Sequence, residues 1–139
     1  MRPTTLAQTA ERIAAGAPQG KTLSEFLDEF YLAQTPAQRA AMIAEPPAVM
    51  PNPELNGLLG GVAEYLAHQN KLPQVPAWAY ASERYLDRPW HVSPFDDAGM
   101  REYLTFSSPA EFASRNIFTE ERPLRRARSE LTHESSTPK

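Results

Sequence analysis

Apolar residues recur at helical spacing in several short stretches of the chain. The strongest periodic signal has the spacing i, i+3, i+4, i+7 and i+8, and it consists of Leu23, Phe26, Leu27, Phe30 and Tyr31. This spacing is typical of one face of an amphipathic helix. The opposite face of that helix is acidic, because it carries Glu25, Asp28 and Glu29. No alternating run supports a β-sheet, although residues 90–95 are suited to a short extended segment.

Capping residues predict where these helices begin. Four sites have the capping-box spacing, in which Ser or Thr precedes Gln or Glu by three residues: Thr5 with Gln8, Thr22 with Glu25, Thr35 with Gln38, and Ser108 with Glu111. Asn52 before Pro53 predicts the start of a fourth helix that runs to about Asn70. Asp96 or Asp97 is predicted to cap a later one.

The fourth helix contains three glycines, Gly57, Gly60 and Gly61. Each glycine inside a helix costs roughly 1 kcal/mol relative to alanine. One explanation for the tolerated cost is the close approach of a neighbouring helix over that face, so we expect this helix to lie at the centre of the fold. The stretch before it, residues 45–53, contains four prolines and is predicted to be a stiff, extended connector.

Two segments rich in proline and tryptophan follow, around Trp78 and Trp90, and a short helical piece at about residues 77–86 separates them. One interpretation is that the two indole rings attach these segments to the fourth helix, because tryptophans bury large areas in a small core. The alternative is an aromatic groove for a partner peptide, since aromatic residues anchor interfaces.

Composition supports an all-α fold. Proline accounts for 14 of 139 residues, which disfavours long helices and central strands. We therefore predict a compact single-domain bundle of about five to seven short helices. Its predicted organisation is an N-terminal helical arm over residues 1–20, a core domain over 21–119 and a charged tail over 120–139, whose last ten or so residues are expected to be disordered.

Charge and cysteine content narrow the classes of function. The net charge is −3 and the chain has no cysteine, so disulfides and thiol chemistry are excluded and no global positive field attracts nucleic acid. No stretch approaches the roughly 20 apolar residues of a membrane span, and no signal peptide is evident. We expect a soluble cytoplasmic protein that makes no membrane contact.

Few residues suggest catalysis or metal binding. Glu64 and His68 lie four residues apart on a predicted helix, but two ligands make a poor metal site, so no metal and no cofactor are expected. The alternative to a binding protein is a small enzyme or ribonuclease that uses Arg84, Asp87 and His91. The interval from Arg84 to His91 superficially matches that of some helical ribonucleases, but Pro89 interrupts it. Arg84 is expected instead to be an ion-pair residue or a surface residue near Asp87.

The stretch from Arg122 to Arg128 contains four arginines in seven residues. Such a stretch can contact phosphates, although the neighbouring glutamates dilute its field. We favour a solvated tail or a docking strip for an acidic partner.

Four sequence stretches together resemble an uncharacterised bacterial family of small helical proteins: FLDEFY at residues 26–31, LLGGVAEYLA at 58–67, LPQVPAW at 72–78 with YLDRPW at 85–90, and SPAEFASRNIF at 108–118. Members of that family look like antitoxin-like partners of predicted nucleotidyltransferase toxins. Some carry a helix-turn-helix segment in front, and the stretch before Phe26 is too short for one, so direct recognition of an operator is not expected.

The resemblance implies a non-catalytic protein-binding module, the antitoxin-like half of a toxin–antitoxin pair. It would mask a nucleotidyltransferase-type protein partner by surface complementarity, and an oligomer is possible. On this hypothesis an acidic helix face and an aromatic segment cover a basic cleft on the partner. The predicted partner-binding residues are Glu25, Asp28, Glu29, Trp78, Trp90, Arg125 and Arg126.

Overall fold

The computed structural model describes residues 2–92 and 98–124. The described chain is mainly helical, which confirms the all-α prediction. Its elements, in chain order, are α1 (Leu6–Ala14), α2 (Gln19–Leu32), α3 (Pro36–Ala44), α4 (Pro53–Gln69), two 3-10 turns (Ala77–Tyr80 and Ser82–Arg84), β1 (Trp90–His91), α5 (Ala98–Ser107), α6 (Ala110–Ala113) and β2 (Ile117–Phe118). None of these helices has the length and hydropathy that a membrane span needs, as far as the described residues extend.

Contacts within the chain separate two compact units. Unit 1 comprises Met1–Ala48 and the chain from Leu124 onward, and unit 2 comprises Val49–Pro123. The boundaries at residues 20 and 119 remain predictions.

Unit 1 is built from α1, α2 and α3. The apolar side chains of these helices form its core, and they include Leu6, Phe26, Phe30 and Ile43. The rings of Phe26 and Phe30, one helical turn apart, have centroids separated by 6.0 Å. Burial of such side chains supplies most of the driving force for packing helices this short, because isolated short helices are marginal in water.

Two of the predicted helix starts in unit 1 are confirmed. The Thr35 hydroxyl accepts a hydrogen bond from the backbone N–H of Gln38, and the Gln38 side chain accepts one from the backbone N–H of Thr35, so the capping box is complete. Thr5 caps α1 in the same way, although the Gln8 side chain accepts from Thr4 instead.

The predicted start of α2 at Thr22 is wrong. The helix begins at Gln19, after Pro18 in an extended conformation. Thr22 lies inside the helix, where its hydroxyl donates a 2.6 Å hydrogen bond to the carbonyl of Pro18. Threonine readily makes this bond to the carbonyl four residues earlier, so the residue that suggested a cap is an interior position.

Helix α4 packs against the two 3-10 turns and α6, so the predicted close approach over its glycines is made by one helix and by the turns. A Cβ atom at Gly60 would lie 2.8 Å from Cβ of Arg84, and one at Gly61 would lie 2.7 Å from the ring of Phe112. Both distances are too short for a real carbon atom, so the absence of a side chain lets the 3-10 turns and α6 approach the helix axis. The cost in helix propensity is offset by this packing.

A buried asparagine joins the proline-rich connector to the first turn of α4. The side-chain carbonyl of Asn56 accepts from the backbone N–H of Met50 at 2.7 Å, and its amide donates to the Met50 carbonyl at 2.8 Å. Asn56 thereby satisfies both backbone polar groups of a residue that no helix or strand pairs.

The short strands β1 and β2 pair in parallel, with Trp90 opposite Ile117 and His91 opposite Phe118. The predicted extended segment is therefore present at residues 90–91, while residues 93–95 and the predicted caps Asp96 and Asp97 lie outside the described chain. The predicted capping box at Ser108 is wrong. Pro109 precedes α6, and the Ser108 hydroxyl donates to the carbonyl of Ile117 at 3.0 Å.

Candidate functional site

The centre of unit 2 contains a completely buried arginine, Arg115, which follows α6. Its guanidinium donates to the Glu64 carboxylate, to the Glu111 carbonyl at 2.7 Å and to the Ala79 carbonyl. Its Cζ also lies 4.7 Å from the centroid of the Tyr85 ring. A buried charge is tolerated when it is paired and hydrogen-bonded in this way, so Arg115 joins α4, α6 and the first 3-10 turn.

Arg84 is the second buried arginine, with 2% of its surface exposed. Its Cζ lies 5.0 Å from the centroid of the Trp78 ring, and burial lowers the pKa of Arg84. The prediction that Arg84 is a surface residue is wrong, whereas its pairing with Asp87 stays a prediction. Because Gly60 has no side chain, the Cβ of Arg84 comes close to α4, and the rest of the residue is enclosed.

Glu64 is the anionic partner in this cluster. One of its carboxylate oxygens accepts from Arg115, and the other accepts from the Tyr80 hydroxyl at 2.8 Å. The hydrogen bond to a carboxylate raises the pKa of Tyr80 to about 12, because ionisation would place two negative charges side by side.

The pair Glu64 and His68 does not converge on one point. Nδ1 of His68 lies 2.6 Å from a carboxylate oxygen of Glu111, whereas Glu64 contacts Arg115 and Tyr80. Glu64 and His68 of α4 thus contact Arg115 and Glu111, and these contacts connect α4 with α6 and with the residue two positions after it. Among the described residues, no group of three or more potential metal ligands occurs.

The three residues of the enzyme alternative lie in different surroundings. Arg84 is buried against Trp78, Asp87 is exposed, and the ring of His91 stacks on Phe118 with a centroid separation of 5.0 Å. Nε2 of His91 lies 3.1 Å from the Thr105 hydroxyl. That hydroxyl donates to the Arg101 carbonyl, so it is placed to accept a hydrogen from the imidazole.

Both tryptophans are half-buried. Trp78 lies in the first 3-10 turn, which packs on α4, and one side of its ring covers Arg84. Trp90 lies in β1, where its backbone N–H donates to Asn116 at 2.8 Å. The position of Trp78 agrees with a tryptophan that attaches its segment to α4, whereas Trp90 is held through its backbone, and its predicted role as an attachment stays a prediction.

The acidic face of α2 belongs to unit 1. Its members Glu25, Asp28 and Glu29 are half-buried. A carboxylate oxygen of Glu29 lies 3.1 Å from a guanidinium nitrogen of Arg2, with which it forms an ion pair. Beside this face lies an open groove of about 710 Å³, and the residues that line it are Thr4, Thr5, Glu29, Leu32, Ala33, Gln34, Gln38, Ala41 and Met42. Sequence reasoning missed Arg2, whose separation of 27 residues from Glu29 has no local signal.

Helix α5 carries the most exposed large apolar side chain of the described chain. Phe106 is 82% exposed and Tyr103 is 52% exposed, whereas Leu104 is buried. Tyr103 and Phe106 lie three residues apart and share one face of the helix, which turns away from the side of Leu104. We call this pair the aromatic face of α5. The separation of Tyr103 and Phe106 by three residues is visible in the sequence. The periodicity of a short helix does not, however, distinguish a buried face from an exposed one.

The predicted partner-binding residues Arg125 and Arg126 lie outside the described residues, as does the tail that was expected to be disordered. Comparisons with protein-family models, with curated proteins and with solved structures found no significant match. The resemblance to an antitoxin-like family therefore stays a hypothesis that depends on the quoted sequence stretches.

Proposed function

We propose that this protein is a non-catalytic protein-binding module, the antitoxin-like component of a toxin–antitoxin pair. In this role it masks a nucleotidyltransferase-type partner through surface complementarity. The aromatic face of α5 is the observation that carries the proposal, because Phe106 at 82% exposure is a large apolar side chain without packing to justify its position.

Two features support an interface at this face. Aromatic side chains that fill a pocket on a partner commonly supply a large share of binding energy. Glu102 is exposed next to Tyr103 on α5, which places a negative charge beside the aromatic pair. A partner surface with an apolar pocket and a basic rim is complementary to this arrangement, and a nucleotide-binding cleft supplies basic residues.

The internal use of polar groups favours binding over catalysis. Arg84 and Arg115 are buried, and Glu64, His68 and Glu111 contact one another or Arg115 across α4 and α6. Side chains in such contacts stabilise the fold, and their hydrogen-bonding groups already bind other groups of the protein rather than a substrate. We therefore propose that the protein functions by binding a partner through its surface.

Growth rescue tests this function. The chain is co-expressed with a nucleotidyltransferase-type protein from the neighbouring reading frame, and binding of the purified pair is measured by calorimetry. We expect Phe106→Asp to weaken binding by about 30-fold, which corresponds to the ~2 kcal/mol of an interface hot spot, and to reduce rescue.

Val49→Asp is the matched control, because Val49 is a 57% exposed apolar residue of the same unit that does not lie on α5. Both variants should keep the thermal unfolding midpoint of the unchanged chain. Equal binding by Phe106→Asp and the unchanged chain would reject the aromatic face, and failure of the unchanged chain to rescue growth or bind would reject the antitoxin-like role.

A further inference from the structure

Side-chain hydrogen bonds attach the C-terminal part of α5 to the strand pair β1 and β2. Nε2 of His91, in β1, lies 3.1 Å from the hydroxyl oxygen of Thr105. The Ser107 hydroxyl donates to the carbonyl of Thr119, the residue after β2, at 2.8 Å. Both bonds lie within unit 2. The aromatic face of α5 therefore belongs to a helix that two polar contacts hold against neighbouring elements.

The two bonds lie on opposite sides of the buried residue of α5. Leu104 is 3% exposed, and successive residues of an α-helix are separated by about 100° around its axis. Thr105 is therefore about 100° from Leu104 in one direction, and Ser107 is about 60° from it in the other. Phe106 lies about 160° from Leu104, nearly opposite to it. Contacts on both sides of the buried position oppose rotation of the helix about its axis.

His91 is itself held in place, and the donor of its bond can be assigned. Its ring stacks on Phe118 with an interplanar angle of 23°, and the two residues are partners in the sheet. The Thr105 hydroxyl donates to the Arg101 carbonyl at 2.7 Å, so its oxygen accepts, and Nε2 of His91 donates. Glutamine at position 91 can supply such a donor, whereas phenylalanine can supply only a stacked ring.

We propose that His91 and Ser107 are positioning residues for the aromatic face of α5. Their bonds fix the rotation of the helix, so Tyr103 and Phe106 already point in the direction in which a partner meets them. Order that exists before binding lowers the entropic cost of association and thereby raises affinity. The inference rests on the proposed function, because it concerns the same face, and it adds two residues that act through that face.

Hydrogen exchange of the full chain tests the attachment of α5 without a partner. The exchange rates of the backbone amides of residues 104–107 are measured by NMR and divided by those of residues 59–63, which are buried in α4. We expect His91→Phe, which keeps an aromatic ring but removes the donor, to raise this ratio by about fivefold, the factor for one lost hydrogen bond. Ser107→Ala should raise the ratio to a similar extent.

His91→Gln and Ser114→Ala are the matched controls. Glutamine retains an N–H donor at position 91, so the ratio should stay close to that of the unchanged chain. Ser114→Ala removes a serine hydroxyl outside α5 that donates to the Glu111 carbonyl, and it should leave the ratio unchanged. A ratio that either His91→Phe or Ser107→Ala fails to raise would overturn the proposal, and so would an equal rise in His91→Phe and His91→Gln.

A double-mutant cycle measures whether the attachment of α5 serves binding. Calorimetry gives the affinity for the nucleotidyltransferase-type partner of the unchanged chain, His91→Phe, Phe106→Asp and the double variant. We expect His91→Phe to weaken binding by about fivefold in the unchanged chain but by less than about twofold beside Phe106→Asp. The reason is that a positioning residue acts through the side chain that it orients. An equal loss in both backgrounds would overturn the positioning role.

The two experiments separate the positioning role from the proposed function. If the unchanged chain fails to bind the partner, the proposed function is rejected and the role of His91 and Ser107 in binding falls with it, while the exchange ratios still report whether they hold α5. If the unchanged chain binds and the exchange ratios do not respond, the proposed function stands and the positioning role is rejected.

Discussion

At the scale of single residues, two arginines lie in the interior, where apolar side chains are usually found. Arg84 and Arg115 are the largest fully buried side chains of the described chain, whereas the two tryptophans are only half-buried. The reason is that a guanidinium offers several donors in one plane and a flat face for aromatic rings. Arg115 uses its donors on Glu64 and on two carbonyls, and Arg84 uses its face on Trp78.

Tyr80 provides a test of this cluster through pH. The raised pKa means that the contact with Glu64 contributes stability in full below pH 10, and that this contribution is lost as the pH rises from 10 towards about 12. We expect a titration of tyrosinate absorbance to show a late step near pH 12. The Tyr80→Phe variant should lack that step.

The same variant should lose less stability between pH 10 and 12 than the unchanged chain does in denaturation experiments. Tyr103→Phe, which removes an exposed tyrosine of α5, should retain the late step and serves as the control. If the late step persists in Tyr80→Phe, the assignment to the bond with Glu64 is wrong.

At the scale of elements, the packing of α4 depends on positions without side chains. Gly60 and Gly61 admit the Cβ of Arg84 and the ring of Phe112 to the helix surface. Elsewhere the helices end and begin through local devices, such as Gly16, which takes a φ of 110° after α1. The two kinds of glycine cannot be distinguished in the sequence. Gly60 and Gly61 are needed because a side chain would collide with a neighbour, whereas Gly16 is needed because it adopts a positive φ.

Substitution by alanine separates these effects. Gly60→Ala places a carbon 2.8 Å from Cβ of Arg84, and we expect it to lower the free energy of unfolding by about 1–3 kcal/mol through overpacking. Gly20→Ala in α2 meets nothing within 4 Å and should raise it by about 0.4–1 kcal/mol, since alanine reduces the entropy of the unfolded chain.

Chemical denaturation followed by circular dichroism measures both changes. The two variants add the same methyl group within a helix, so Gly20→Ala controls for the intrinsic preference of alanine. Stabilisation by Gly60→Ala would contradict the close approach of Arg84.

At the scale of the whole molecule, unit 1 is assembled from two stretches that are far apart in the sequence. The bond between the Tyr31 hydroxyl and the Leu124 carbonyl spans 93 residues, and the Leu124 side chain is buried. Loop-closure entropy grows only slowly with loop length, so a modest buried contact is sufficient to retain this stretch.

Leu124→Ala tests this closure. Removal of a buried leucine side chain should lower the free energy of unfolding by about 2–4 kcal/mol, as measured by denaturation with circular dichroism detection. Glu121→Ala, three residues earlier and exposed, should change it by less than about 0.5 kcal/mol. Equal stability of the two variants would mean that Leu124 does not pack in unit 1 as described.

Local signals predicted much of the fold. The starts of α1, α3 and α4 were read from Thr5, Thr35 and Asn52, because a cap and its partner lie within three residues of each other. The same logic failed at Thr22 and Ser108, whose hydroxyls bond to carbonyls instead of capping a helix. A side chain with two possible partners cannot be assigned from spacing alone.

The candidate sites were less predictable. Glu25, Asp28 and Glu29 do share a helix face, since their spacing determines it, but the approach of Arg2 to Glu29 was not foreseen. The burial of Arg84 and the exposure of Phe106 were also missed. Each depends on which surface a neighbouring segment covers, and that neighbour is distant in sequence.

By itself, the sequence determined the helical class, the approximate position of most helices and the central place of α4, because periodicity, capping and glycine content act over a few residues. Only the tertiary structure decided which polar side chains are buried and paired inside the fold and which aromatic side chains remain exposed to solvent. The physical reason is that burial is a property of the whole packing arrangement, so a charged residue such as Arg115 becomes a core residue once Glu64 and two backbone carbonyls accept hydrogen bonds from its guanidinium.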